Sequence, residues 1–302
     1  MRQVPNPALE RTRQLAGDGQ RSSPPQPTTG STGWNAHLKL RFAVVNARTT
    51  LVRRAHEGPL VVQKPLYPEG DAVCQCIVVH PPGGIAGGDR LRLAVDIGPG
   101  AHAQLTTPGA AKWYRAGGRR ATQEIVLRVA DGGVLEWLPQ GSIVFAGADA
   151  ASEVRVELNE GATFVGFDIV CLGRSASAEK FTHGTWRQRI DIARADALIW
   201  SERASLRGDS ALLSSPVGLN GAPVFGTFVT VTTSCDDALL ALCRLLAPAQ
   251  GDGVVTRVAG ALIARYRGDS YEAAHAYFAA LWSAVRPRIV GRQAVLPRIW
   301  NT

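Results

Sequence analysis

The chain has 302 residues, 45% of them hydrophobic and 19% charged, with a formal net charge of +8. That is the balance of a soluble globular protein, long enough for one large domain or two ordinary ones. The positive charge admits nucleic acid or an acidic protein as partner; with no Lys/Arg run interleaved with aromatics, the expectation is a protein partner and no nucleic acid.

Residues 1–32 are rich in Arg, Pro, Ser and Gln, with few large apolar groups to bury, and are expected to form a disordered basic tail ahead of one domain over 33–302. Order begins near Trp34, where Leu38, Leu40, Phe42 and Val44 alternate with Lys39, Arg41 and Ala43 as in a half-buried strand. The same alternation returns in Leu91, Leu93, Val95 and Ile97, in Val154, Val156 and Leu158, in Trp186, Ile190 and Ile192, and over the run Val224 to Thr232. No helical period precedes residue 230.

Three strand pairs are joined by short glycine turns, at Gly98-Pro99-Gly100, Asp131-Gly132-Gly133 and Asn159-Glu160-Gly161. Their spacing is irregular but of the order seen in stacked repeats, each unit burying a face on its neighbour, with a conventional sandwich as the alternative. Two helices are expected near the end. Ser234 and Asp237 resemble a capping box before Leu239, Leu242, Cys243 and Leu246, with Pro248 ending the run. A second helix is expected from about Tyr271 to Val285, stopped by Pro287.

The cysteines, at 74, 76, 171, 235 and 243, are odd in number and lack zinc-ribbon spacing, which reads as a reducing, cytoplasmic setting. No apolar leader is visible, and the longest uncharged run, Ser210 to Cys235, is broken by prolines and glycines, so neither a signal peptide nor a membrane span is expected.

The most constrained stretch is His80-Pro81-Pro82-Gly83-Gly84-Ile85-Ala86-Gly87-Gly88-Asp89-Arg90-Leu91, set between strand-like runs. Gly83 and Gly88 have P-loop spacing, but Asp89-Arg90 stand where Lys-Ser/Thr is needed and a strand follows, so a phosphate cradle is not expected. Two readings of Asp89 remain: a turn residue capping loop amides, or a fixed carboxylate that meets a cation. Other acids sit in apolar settings. Asp168 lies within Phe164 to Leu172, Glu202 follows Ala197-Leu198-Ile199-Trp200-Ser201, and Glu179 follows the Gly173-Arg174 corner. A lone buried carboxylate is costly, so each needs an arginine, a water or a metal, with Arg90, Arg174 and Arg203 as candidate partners. Carboxylates spaced along a wet passage would suit a hard or borderline divalent ion. Cys74, Cys76 and His80 share strand parity and could form a soft-metal site; the plainer alternative is a small buried cysteine pair.

These motifs carry a family resemblance. His80 to Leu91 resembles the signature of the urease accessory protein D family, called the H protein in some organisms. The similarity continues through Gln63-Lys64-Pro65-Leu66-Tyr67-Pro68-Glu69, Leu105 to Arg115, Leu135-Glu136-Trp137-Leu138-Pro139-Gln140, Cys171-Leu172-Gly173-Arg174 and Pro297-Arg298-Ile299-Trp300-Asn301-Thr302. The resemblance implies a mainly β, elongated, β-helix-like stack of many strands with two α-helices in the C-terminal third. It implies a non-enzymatic scaffold that binds the urease apoprotein, accessory protein F and, through it, the GTPase accessory protein G. Nickel would be in transit through an internal passage, and Asp89, Asp168, Glu179 and Glu202 match its acidic lining by position. The Arg-rich segment Arg286, Arg288, Arg292 and Arg298, with the last helix, is a candidate contact for accessory protein F or urease. Before Glu179 the family usually has Gly; this chain has Ala178, which bears on the turn that aims Glu179. Two other readings stay open: a structural adaptor with no nickel route, and a carbohydrate-active β-solenoid enzyme using an acid pair in an open groove.

Overall fold

The computed structural model describes residues 33–258 and 260–301; the tail expected over residues 1–32 lies outside them. The chain enters as an antiparallel ribbon, β1 (Asn35–Val45) and β2 (Arg48–Glu57), followed by the short β3 (Val61–Val62) and by β4 (Val73–Val79). Three coils come next, each a strand in one sheet, a glycine turn, a strand in the other sheet and a short corner strand. The first is β5 (Arg90–Ile97), β6 (His102–Thr106) and β7 (Ala111–Trp113). The second is β8 (Ala121–Val129), β9 (Val134–Leu138) and β10 (Ser142–Val144). The third is β11 (Asp149–Leu158), β12 (Thr163–Arg174) and β13 (Glu179–Lys180). A hairpin of β14 (Thr185–Arg194) and β15 (Ala197–Arg207) leads to β16 (Val224–Val231), α1 (Asp237–Arg244), β17 (Asp252–Val258), β18 (Ala261–Gly268) and α2 (Tyr271–Val290).

The first sheet has seven strands in the order β15-β14-β11-β8-β5-β1-β2, and β1, β5, β8, β11 and β14 run parallel. In the second, β4, β6, β9 and β12 are parallel and β16, β18 and β17 continue the sheet antiparallel. This is the expected solenoid-like stack. Its three glycine turns fall where the sequence places them and bond to one another: Gly100 donates to Asp131 O, Gly132 to Gly161 O, and the Asp131 carboxylate accepts from the Gly161 amide at 2.9 Å.

The period-2 pattern sets which face goes inside. Leu91, Leu93, Val95 and Ile97 are buried between the sheets while Arg92 is exposed, and Leu127, Val156, Leu105 and Phe164 join the same core. Val44 departs from its expected burial and is exposed. β5 stops opposite Phe42, so the ribbon end carrying Val44 has only β2 beside it.

The second sheet is covered on its outer face as well. Val165, Phe167, Ile169 and Phe228 pack there on Leu239 and Cys243 of α1 and on Ala274, Tyr277, Phe278, Leu281 and Val285 of α2. Both helices differ from expectation at an end. α1 is capped by Asp236, whose carboxylate accepts from the Leu239 amide at 2.7 Å, and not by Ser234. A two-oxygen acceptor one residue before the first turn reaches the free N–H groups better than a serine two residues further back. α2 runs through Pro287 to Val290 and stops at Gly291, which takes the left-handed conformation of a helix C-terminus (φ 67°). The proline deletes one intrahelical donor, but the turn containing it is held by its neighbour.

That neighbour is Arg286, fully buried, which corrects its expected place among accessible C-terminal arginines. Its guanidinium donates to both oxygens of Glu69 at 2.8 Å, to Glu136 of β9 at 3.0 Å, and to the Gln293 carbonyl. Glu136 also meets His102 Nε2 at 2.6 Å and accepts from Trp282 Nε1. The pair thus clamps α2 to the loop before β4 and to the middle of the second sheet. Removing one member of a buried ion pair strands the other charge. Arg286→Ala is expected to cost roughly 3–5 kcal/mol, read as a lowered urea midpoint.

Candidate functional site

The glycine loop is pinned to β7 rather than open to a ligand. Ile85 donates to Lys112 O at 2.7 Å and Tyr114 donates to Ile85 O at 2.9 Å. A Cβ at Gly87 would sit 1.8 Å from the Ala116 carbonyl oxygen, and Gly88 needs φ +97°. Asp89 is buried at the exit, its two oxygens accepting from the amides of Trp34 (2.8 Å) and Ala86 (2.7 Å). This is the amide-capping geometry of the first reading of Asp89. It also occupies one loop donor, the Ala86 amide, that a phosphate cradle would use.

Behind the loop, between the sheets, lies a cavity of about 420 Å³. Its lining includes His80, Gly84, Leu93, Trp137, Ser152 and Asp168. His80 Nε2 is buried with no hydrogen-bond partner among the described residues, and burial holds its imidazole below the usual histidine range against the pull of Asp89. Of the four acids singled out in the sequence, Asp168 alone lines this cavity.

Asp168 stands on β12 opposite Thr227 of β16, whose own neighbour on β18 is Arg265. Burial pushes its carboxyl up to about 7, and the charge of Glu202 adds to the rise; the Gln188 amide donates to it. It has no cationic partner among the described residues. Glu202 reaches in from β15, accepts from the Thr227 hydroxyl at 3.0 Å and pairs with Arg265 at 3.3 Å. The structure therefore brings Asp168 and Glu202 together around Thr227, one uncompensated and one neutralised. Arg203, a candidate partner, acts on Asp191 instead.

Glu179 lies apart. Arg174 donates to it at 2.7 Å and rests over the Phe145 ring. Asp89 and Glu179 thus form no facing acid pair. Cys74 and Cys76 are both fully buried in the inter-sheet core. The Cys76 thiol, hydrogen-bonded to Cys74, pulls the latter down to about 7 and is itself pushed up. Cys74 is influenced by Tyr67 and Arg48, and His80 by Asp89, so the three residues of the soft-metal reading have different surroundings. Among the described residues, no group of three or more His, Cys, Asp or Glu is arranged to hold a metal ion. No helix there is long and apolar enough to cross a membrane.

The buried contact of Glu136 with His102 and Arg286 escaped the sequence reading, which placed Arg286 in a partner-contact segment. Glu136 had the signal that flagged Asp168, an acid inside an apolar run, Leu135-Glu136-Trp137-Leu138. Gln188, Thr227 and Arg265 had none: strand pairing sets Thr227 and Arg265 beside Asp168, and only the packing of the two sheets brings Gln188 to Asp168 and Glu202 to Thr227 and Arg265.

The family model of the UreD urease accessory protein matches residues 35–301. This chain belongs to that family. Among similar proteins, the urease accessory protein UreD of Azoarcus sp. (strain BH72) is 49% identical over 270 residues, covering 89% of this chain and 95% of the relative. That of Dechloromonas aromatica (strain RCB) is 49% identical over 276 residues, 90% and 96% of the two chains. That of Nitrosococcus oceani is 48% identical over 269 residues, 89% and 90%.

Ala178 stands where the resemblance led us to expect glycine, and its conformation is visible. It adopts φ 55° and ψ 19°, the left-handed region, and its amide donates to Ser175 O at 3.0 Å. The turn a glycine would make is made by alanine, at a steric cost, and Glu179 keeps its place opposite Arg174 on β12. Ala178→Gly is expected to stabilise the protein by about 0.5–1 kcal/mol, seen as a higher urea midpoint with unchanged slope. A second expectation concerns pH. The Asp168 carboxyl has a folded pKa of about 7, above that of a free carboxyl, so between about pH 4 and 7 the folded state binds a proton the unfolded chain does not. Wild-type stability should fall across that window by roughly 2–4 kcal/mol relative to Asp168→Asn, which lacks the titration. Urea midpoints of the two proteins along a pH series measure the difference.

Proposed function

We propose that this protein is a non-catalytic urease maturation factor of the cytoplasm. It holds the urease apoprotein together with accessory protein F and, through F, the GTPase accessory protein G, and nickel in transit passes Asp168 on its way to the urease active site. One observation carries the reading: a carboxylate with no cationic partner among the described residues opens on an inter-sheet cavity of about 420 Å³ in a chain of the urease accessory family.

The chemistry of the donors supports a cargo role over a resident site. At neutral pH the Asp168 carboxyl is close to half-protonated, so an arriving divalent ion can displace a proton and be displaced by one. Gln123 and Ser152 line the same cavity and offer amide and hydroxyl oxygens. His80 is the one imidazole in the lining beside these oxygen donors, which hold a borderline ion such as nickel less tightly than thiolate and imidazole do, and that favours release. Cys74 and Cys76, buried in the core, are absent from the cavity lining. Glu202 is compensated by Arg265 and Asp89 by backbone amides, so Asp168 has the most charge to offer a passing cation. GTP hydrolysis falls to the partner, since the glycine loop lacks the P-loop Lys-Ser/Thr.

The test is Asp168→Ala in cells where the accessory complex still assembles on urease. Nickel per urease active site, measured by mass spectrometry, should drop severalfold. Full nickel loading in that variant would leave the protein as an adaptor that only holds its partners together.

A further inference from the structure

The first sheet is parallel through five strands, yet among the described residues only its inner face is covered. Parallel sheets are ordinarily buried on both sides. Here the outer face carries charge, and most of it is neutralised locally: Arg92 pairs with Glu124, Arg155 with Glu153, Arg187 with Asp149 and Arg189 with Asp191.

One end of the face is different. Lys39 and Arg41 of β1 and Arg53 of β2 are exposed, and none has an ion-pair or hydrogen-bond partner among the described residues. Arg41 and Arg53 are direct neighbours across the antiparallel ladder, where like charges repel. The carboxylates on that row, Asp96 and Glu157, are both taken by Arg128, at 3.7 and 2.7 Å. The three free cations share a cleft of about 580 Å³, lined also by the turns at Gly98-Pro99 and Ala195-Asp196.

We propose that this cleft docks an acidic segment of a partner protein, whose Asp or Glu side chains supply the negative charge missing between Lys39, Arg41 and Arg53. On the maturation reading above, on which this identification rests, the partner is a member of the urease assembly. A nucleic acid fits less well. Asp96, Glu157 and Asp196 face the same cleft and would repel a continuous phosphate backbone, whereas separate carboxylates on a peptide can meet the cations alone.

The experiment uses the full chain, urease apoprotein and accessory protein F, each partner immobilised in turn, with association followed across a salt series. Lys39→Glu/Arg41→Glu/Arg53→Glu should slow association with one of the two partners by about tenfold or more and flatten its salt dependence. A triple reversal elsewhere, Lys64→Glu/Lys180→Glu/Arg203→Glu, controls for net charge. Arg53→Glu alone places a carboxylate of this chain beside Arg41; it should fold at least as stably as wild type and still weaken the same partner. Equal binding by wild type and the triple variant, or equal loss in the control, overturns the proposal and leaves the maturation reading intact. Binding of a DNA duplex that depends on these three residues, with protein binding unchanged, overturns it in favour of a nucleic-acid site. A wild-type chain that binds neither partner overturns the maturation reading and this proposal with it.

Discussion

A carboxylate buried in apolar surroundings has to be met by amides, by a cation or by a proton, since leaving it charged and alone costs several kcal/mol even after relaxation. This chain uses all three solutions. Asp89 is met by two backbone amides, Glu136 and Glu202 by arginines, and Asp168 by a proton for which its affinity is raised to about 7. The first two solutions build structure. Amides fix the exit of the glycine loop, and arginines tie both α2 and the first-sheet strand β15 to the second sheet. The third leaves a group whose charge can still change at neutral pH, and a structural role gives no reason to keep it.

The stacked coils explain how polar groups can be lined up inside without breaking the core. In a parallel, in-register stack the same position of each coil falls on one row, so Gln123, Ser152 and Gln188 are consecutive neighbours across β8, β11 and β14. All three lie on the inner face, and Gln188 ends the row by donating to Asp168 on the opposite sheet. Apolar rows on either side, such as Ile125 with Val154 and Ile190, keep the layers in contact. A polar row between apolar rows therefore forms a strip, and the cavity follows it.

What was legible in the sequence was what is local. Period-2 alternation gave the strands and their inward faces, and glycine turns gave the coil boundaries, because both depend on neighbours a few residues away. Helix ends were less secure: Asp236 takes the cap in place of Ser234, and Pro287 does not stop a helix whose same turn is anchored by a buried arginine. The partners of the buried acids were mostly hidden. Arg265 meets Glu202 across 63 residues of sequence and Arg286 meets Glu136 across 150, and nothing local marks either pair. Arg286 even looked like part of a basic surface segment, since composition cannot tell an arginine facing a helix core from one facing water. Arg174 and Glu179, five residues apart around one corner, were the pair that proximity alone could suggest.

The same alternation separates the two candidate functions of the first sheet. On β1, Leu40 points into the core and Arg41 out of it, and on β5 the same holds for Val95 and Asp96. One strand thus serves the inter-sheet space through alternate residues and the outer cleft through the others. A side chain changed on the outer face leaves the packing of the inner face in place, and groups without shared contacts contribute almost additively. A partner docked at Lys39, Arg41 and Arg53 would therefore hold the molecule without altering the affinity of Asp168 for a proton or a cation. Holding a partner and passing a cation are then physically independent properties of the same strands, and either can be lost without the other.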